Sequence, residues 1–200
     1  MFWGMRFSTL SNAKDYLLAM RYASFWLSIL VLIAITQAGC NKRNHEQTTP
    51  ATWRSDHHDV SFQYPRDWTL LQPFLDSEKA VTAGAIDNTT GMSLVIKLTE
   101  DVPKTMVSDE TYFEAVRNQM LTHASGNTLL DESETEFVGS RYHRMHFTMT
   151  NPKFDGDFRQ VAYIRRTGEF CIACQLNYPV STDNQIPPQL QSLIDGLELP

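Results

Sequence analysis

Hydrophobic and polar positions divide the chain into three regimes. Tyr22 to Gly39 is apolar with little interruption, 41–59 is polar, and short mixed periods begin at Val60. Val60, Phe62 and Tyr64 alternate with polar residues, which predicts a short strand that Pro65 stops. Trp68, Leu70 and Leu71 make a second extended piece. Lys79 to Asp87 and Met92 to Thr99 are rich in strand formers, and Asn88-Thr89-Thr90-Gly91 between them has the composition of a hairpin turn. In the second of these strands Leu94, Ile96 and Leu98 share a face.

The clearest helix runs from Asp109 to His123. Ser108 is placed to cap it, and Asp109 and Glu110 sit where the helix dipole favours acid. Phe113, Val116 and Met120 line one side with Tyr112 flanking, and Gly126-Asn127 ends the period. Strands Glu134–Val138, Arg141–Thr150, Phe158–Arg166 and Glu169–Tyr178 follow, separated by Gly139-Ser140, the loop 151–156 and Thr167-Gly168. Together they predict an antiparallel meander. A last helix near Pro187–Ile194 opens on prolines, presents Leu190, Leu193 and Ile194, and stops at Gly196. The class is α+β: an antiparallel β-sheet with flanking helices.

The apolar regime is a targeting signal by its layout. Arg21 precedes it, Tyr22 to Ile35 forms an apolar core of secretory length, and the small residues Ala38 and Gly39 lead to Cys40. This order resembles a bacterial lipoprotein signal peptide, with Gln37 standing where that pattern has an aliphatic residue. The resemblance implies cleavage before Cys40, a lipid such as palmitate on its thiol, and a domain outside the cytoplasm. Asn41 is similar to the sorting pattern of outer-membrane lipoproteins in enteric bacteria.

An uncleaved span needs about 17–20 apolar residues. Tyr22 to Gly39 reaches the lower edge, but Lys42 and Arg43 directly after it weaken the usual cytoplasmic excess of positive charge. Met20-Arg21 reads as the natural start of the signal. The expected organisation is a leader over 1–39, a lipid anchor and flexible tether over 40–59, and one globular domain over 60–200.

Three basic residues (Arg6, Lys14, Arg21) and one acid (Asp15) fall before residue 40. Of 17 Lys and Arg and 23 Asp and Glu in all, the rest of the chain keeps 14 and 22, a net charge of −8. Such a body repels phosphate backbones, which argues against nucleic acid as a partner. No cationic face suits a peripheral membrane surface either, so attachment falls to the N-terminal lipid.

Phe62-Gln-Tyr64-Pro65-Arg-Asp-Trp68 is similar to the F-x-[YV]-P-x-x-W opening of PsbP-like domains, and the later order of elements, closing on a short helix and a Leu-Glu-Leu tail, is similar too. The resemblance covers Val60 to Pro200. It implies an α-β-α sandwich and a non-enzymatic role in binding or assembling partners. The metal-binding residues of photosynthetic members match no position here, so neither metal nor cofactor is expected. By itself the motif reads as core packing, with Phe62, Tyr64 and Trp68 returning aromatics to one face.

Cys171-Ile-Ala-Cys174 has redox spacing, but it lies in a strand pattern. There, residues three apart point to opposite sides, and the thiols read as structural. His57-His58 with Asp56 and Asp59 reads as a solvated linker. His143 and His146 oppose each other across a strand and make a poor chelating pair. Tyr142, Arg144, His146 and Thr148 share a polar face, which Arg159 and Arg165 join if the meander pairs in order. Such arginines suit a carboxylate or phosphate, but because sequence fixes no register the favoured reading is the ordinary one, a half-solvated sheet face crossed by the C-terminal helix.

No G-x-S-x-G, H-E-x-x-H, P-loop or dinucleotide fingerprint is present. The expectation is a membrane-anchored lipoprotein of the bacterial cell envelope, carrying a non-catalytic domain that binds an envelope protein. The rivals are an envelope hydrolase or ligand-processing enzyme using the Arg144/His146 face, and an uncleaved single-span protein with an extracytoplasmic domain.

Overall fold

A computed structural model describes residues 49–71, 74–101, 103–123, 127–150, 154, 156–180 and 185–200. The expected leader, the expected start at Met20 and the expected lipidation at Cys40 all fall outside the described residues.

The strands are β1 (Ala51–Arg54), β2 (Ser61–Tyr64), β3 (Thr69–Leu70), β4 (Leu75–Ser77), β5 (Ala80–Ile86), β6 (Ser93–Glu100), β7 (Thr128–Phe137), β8 (Ser140–Thr150), β9 (Asp157–Arg166) and β10 (Phe170–Pro179). The helices are α1 (Asp109–His123), between β6 and β7, and α2 (Pro188–Asp195) near the end. β1 and β2 form a ribbon, and the others form an eight-stranded sheet in the order β3-β5-β6-β10-β9-β8-β7, with β4 also on β5. Every pairing is antiparallel. The α+β class and the meander from β7 to β10 are as expected. β10 then closes against β6, four strands earlier in the chain.

Alternation along the strands separates two cores. On one face Leu94, Ile96, Leu98, Ile172, Cys174 and Leu176 pack with Phe62 and Trp68 and with Leu190 and Leu193 of α2. On the other, Tyr112 and Val116 of α1 pack on Met145, Phe147, Ala162, Ile164, Cys171 and Ala173. Among the described residues each face therefore carries one helix, and the sandwich layers follow from strand parity.

α1 begins where the Ser108 hydroxyl accepts the Thr111 N–H at 3.2 Å. Near its other end, Asn127 donates its amide to the Met120 carbonyl at 2.7 Å. Both satisfy groups that a helix end leaves open. In the β5–β6 hairpin Gly91 has φ +77°, and an added Cβ would meet Phe154 at 2.7 Å. Only glycine suits that turn.

Three elements differ from expectation. The stretch 51–59, read as tether, is folded: Trp53 pairs with Phe62 and their rings lie 5.4 Å apart. With one apolar anchor, β1 carries too little hydrophobic signal to show as a strand. β4 is three residues long and just as faint. β7 starts at Thr128, because a register shift between Leu129 and Asp131 breaks its alternation.

One ion pair ties the layers together. The Arg166 side chain at the end of β9 is 1% exposed, and its Nε meets Asp101, itself 0% exposed, at 2.8 Å. Its Nη1 donates to the Val107 carbonyl at 2.9 Å and to Asp109 at 3.1 Å. The guanidinium lies 4.7 Å from the centre of the Tyr112 ring. Removing one partner of a buried pair strands the other's charge, at about 3–5 kcal/mol. Asp101→Ala is expected to lower the unfolding free energy in urea by that amount. Arg54→Ala, which removes a pair with side chains 72% and 65% exposed, should change it by less than about 1 kcal/mol. Equal effects would remove the clamp from its central place.

Candidate functional site

β8 distributes its side chains by parity. Its odd positions face α1: the His143 ring stacks on Phe113 at 4.1 Å, and its nitrogens meet Glu132 at 2.7 Å and Glu134 at 3.0 Å. Arg117 completes that network through Glu132 at 2.8 Å. Its even positions, Tyr142, Arg144, His146 and Thr148, lie on the opposite face. The two histidines are thus divided by the sheet.

On the even face the register sets Arg144 against Tyr163, His146 against Val161, and Thr148 against Arg159. Arg159 in turn faces Tyr178. Two arginines, a histidine and two tyrosines therefore share one patch. Arg144 donates to Asp131 of β7. The Arg144 Nε and the His146 Nε2 are buried without a hydrogen-bond partner. Burial, then the charges of Arg159 and Arg144, hold His146 below the usual histidine range, with Asp131 opposing. Burial pushes the Tyr163 hydroxyl up to about 12 and also raises Tyr178, so both remain neutral donors.

Of the four arginine and histidine positions singled out in the sequence, Arg144, His146 and Arg159 come together. Arg165 shares their face but not their patch. Six residues, about 20 Å of strand, separate it from Arg159. It donates to the Ser140 hydroxyl at 3.0 Å and to the Pro200 carbonyl at 3.2 Å, and its guanidinium lies 5.9 Å from the Tyr142 ring centre. Its work is to hold the C-terminal residues. Asp131, Tyr163 and Tyr178 went unmarked in the sequence. The tyrosines follow from the two-residue period of β9 and β10, whereas the β7 bulge hides Asp131.

Cys171 and Cys174 are unbridged, fully buried and on opposite faces. The Cys171 Sγ lies 3.0 Å from the Tyr112 hydroxyl, and burial raises its thiol to about 12. Burial raises the Cys174 thiol as well. His57 and His58 belong to an ordered loop, not a solvated linker. The Ser55 hydroxyl accepts both of their N–H groups at 3.1 and 3.0 Å and donates to Asp76 at 2.6 Å. His58 Nε2 donates to the Ser77 carbonyl at 2.8 Å. This loop borders a cavity of about 650 Å³ that Phe170, Arg54 and Glu198 help to line. Among the described residues no three His, Cys, Asp or Glu side chains are grouped to hold a metal, and no helix is long and apolar enough to cross a membrane.

No family model and no curated protein matches the chain. Solved structures do. The chain superposes on cyanobacterial PsbP from Synechocystis with a TM-score of 0.53 at 12% identity, covering 80% of this chain and 96% of that one. This likeness establishes a PsbP-like fold. A protein from Bacteroides thetaiotaomicron matches with a TM-score of 0.45 at 14% identity over 74% of this chain, which spans 47% of that protein's length. LpqN of Mycobacterium tuberculosis, described as involved in cell envelope biogenesis, matches with a TM-score of 0.37 at 14% identity, over 76% of this chain and 80% of its own.

The depressed His146 has a consequence for stability. As pH falls below about 6.5 the unfolded chain takes up the proton before the folded one does. The stability that neutral His146 contributes is therefore complete above that value and is lost on acidification towards the folded-state value. His146→Gln is expected to flatten the fall in Tm between roughly pH 6.5 and pH 5. An unaltered acid limb would mean that His146 titrates alike in both states.

Proposed function

We propose that the chain is a lipoprotein anchored through Cys40 in a bacterial cell envelope, with a PsbP-like domain that binds or assembles an envelope partner without catalysing a reaction. The observation that carries this reading is the order along the chain: an apolar leader ending in Ala38-Gly39-Cys40, then a body that is already folded at Ala51. Eleven residues span at most about 40 Å when fully extended. The body is then held close to the bilayer, within reach of components embedded in it. Two or three acyl chains on one residue make such a tether effectively permanent. The body's acidity points to a protein or small-molecule partner, not nucleic acid.

The hydrolase reading draws on the unpartnered nitrogen of His146. A general base must become an imidazolium as it works, and the charges of Arg159 and Arg144 oppose that. The same charges suit the holding of an anion, so binding is favoured over proton transfer.

Labelling with radioactive palmitate tests the anchor: label is expected on the native protein and none on Cys40→Ala. Persistent label on the variant, or an unlabelled mature protein that retains residues 20–39 by mass, would replace the lipoprotein with the single-span reading. Binding is tested on the same detergent extract, from which a defined envelope component should co-purify in fixed ratio.

A further inference from the structure

The patch around His146 is assembled from four strands of an acidic protein, yet it gathers cations. Arg144 and Arg159 both act on the imidazole electrostatically, and Asp131 is the acid that acts against them. Asp131 engages only one arm of the Arg144 guanidinium, by its Nη2. The Arg144 Nε is left buried and unbonded, as is the His146 Nε2. Buried polar atoms in folded proteins are nearly always hydrogen-bonded, and two on neighbouring positions of one face call for a shared acceptor. Asp131 comes from β7, Tyr163 from β9 and Tyr178 from β10. The tyrosines share the face of His146 through the register of β8, β9 and β10, opposite Arg144 and Arg159.

We propose that this face is a binding site for a phosphate-type oxyanion, held between the guanidiniums of Arg144 and Arg159 with His146 Nε2 as a further donor. A guanidinium edge presents two parallel N–H groups to one pair of oxygens. Donors from separate strands approach from different directions, which fits a tetrahedral group better than a planar carboxylate. The anion also offsets the repulsion that disfavours a protonated His146. Binding and protonation of that ring are therefore linked, each strengthening the other by the same factor. The inference deepens the binding reading above and rests on it only for the site having a ligand.

The test uses the full-length protein in detergent, with histidine ring signals followed by NMR in inorganic phosphate against chloride at matched ionic strength. Saturating phosphate is expected to raise the His146 midpoint by about one pH unit, a tenfold preference of the anion for the protonated ring. The His57 midpoint should not move. Arg144→Gln should abolish the shift, and Arg165→Gln should preserve it. Asp131→Asn, which removes the competing carboxylate, should tighten phosphate binding several-fold. If Arg144→Gln fails to fold, Arg144→Lys asks the same question, since it keeps the charge but loses the fork, and should weaken binding.

An unmoved His146, equal shifts at His57, or a full shift in the Arg144 variant would overturn the site. Phosphatidic acid in phosphatidylcholine vesicles distinguishes the source of the phosphoryl group. A shift at concentrations where free phosphate gives none assigns it to a lipid headgroup, and the reverse assigns it to a soluble ligand. A missing phosphate response beside a co-purifying envelope partner removes the oxyanion site and leaves the binding module intact. A phosphate response without a partner does the opposite.

Discussion

The Arg166 guanidinium is the fixed point between the sheet and α1. Four groups converge on it from three segments: Asp101 after β6, Val107 and Asp109 at the entry to α1, and the ring of Tyr112. Asp101 also accepts the Gly168 N–H at 3.1 Å and so holds the β9–β10 turn. α1 needs this help. Its fully buried side chains are Tyr112 and Val116, a thin apolar stripe for fifteen residues. A charge this far from water is tolerable only when every donor finds a partner. The start of α1, the end of β6 and the turn are thus held in one relative position.

With α1 docked over β8, β9 and β10, the odd positions of β8 are committed to the core and the even ones are left to the opposite face. That face is only partly covered. An eight-residue helix such as α2 is about 12 Å long, whereas seven strands in sequence at about 4.8 Å spacing extend for nearly 30 Å. α2 and the β1–β2 ribbon cover the half built from β5, β6 and β10, where Leu190, Leu193 and Phe62 sit. Beyond them Tyr142, Val161, Tyr163 and Tyr178 continue that core in buried positions, and Arg144, His146 and Arg159 lie among them, half-buried. The candidate site is a charged cluster set into the edge of that core.

Much of this could be read from the chain, and the failures have physical causes. Strong period-two runs such as Leu94-Ile96-Leu98 and the capped stretch after Ser108 declare their elements, because burial of one face and satisfaction of a helix end leave marks within a few residues. Parity alone also separates Cys171 from Cys174 and His143 from His146. Pairing is another matter. Nothing local to β10 says that it lies on β6, and nothing in 51–59 says that Trp53 meets Phe62, since these contacts join segments far apart or carry a single apolar residue. Arg165 and Arg166 show the same limit. Adjacent in sequence and alike in chemistry, one reaches the C-terminal carbonyl and the other is the buried clamp. Which is which depends on the distant groups that each face presents.

The edges of the sheet bear on how the proposed partner would be met. β7 is ten residues long and ends the strand order, so its length would invite pairing with another chain. It carries Asp131, Glu132, Glu134 and Glu136. Asp131 is engaged by Arg144 of β8, Glu132 by Arg117 of α1, and Glu134 by Arg141 of β8 at 3.2 Å. Those acids ring the edge with charge, and the bulge beside Asp131 bends it. Strand addition along β7 would bring a second backbone alongside this row of carboxylates and tolerate little besides a basic segment. The even face of β8 and β9 has no such guard. Its charge is opposite in sign to that of the surrounding body, and its buried donors are fixed by strands rather than loops. Recognition through that face asks no strand to be displaced, and Asp131 is an acid that an anion must outcompete for Arg144.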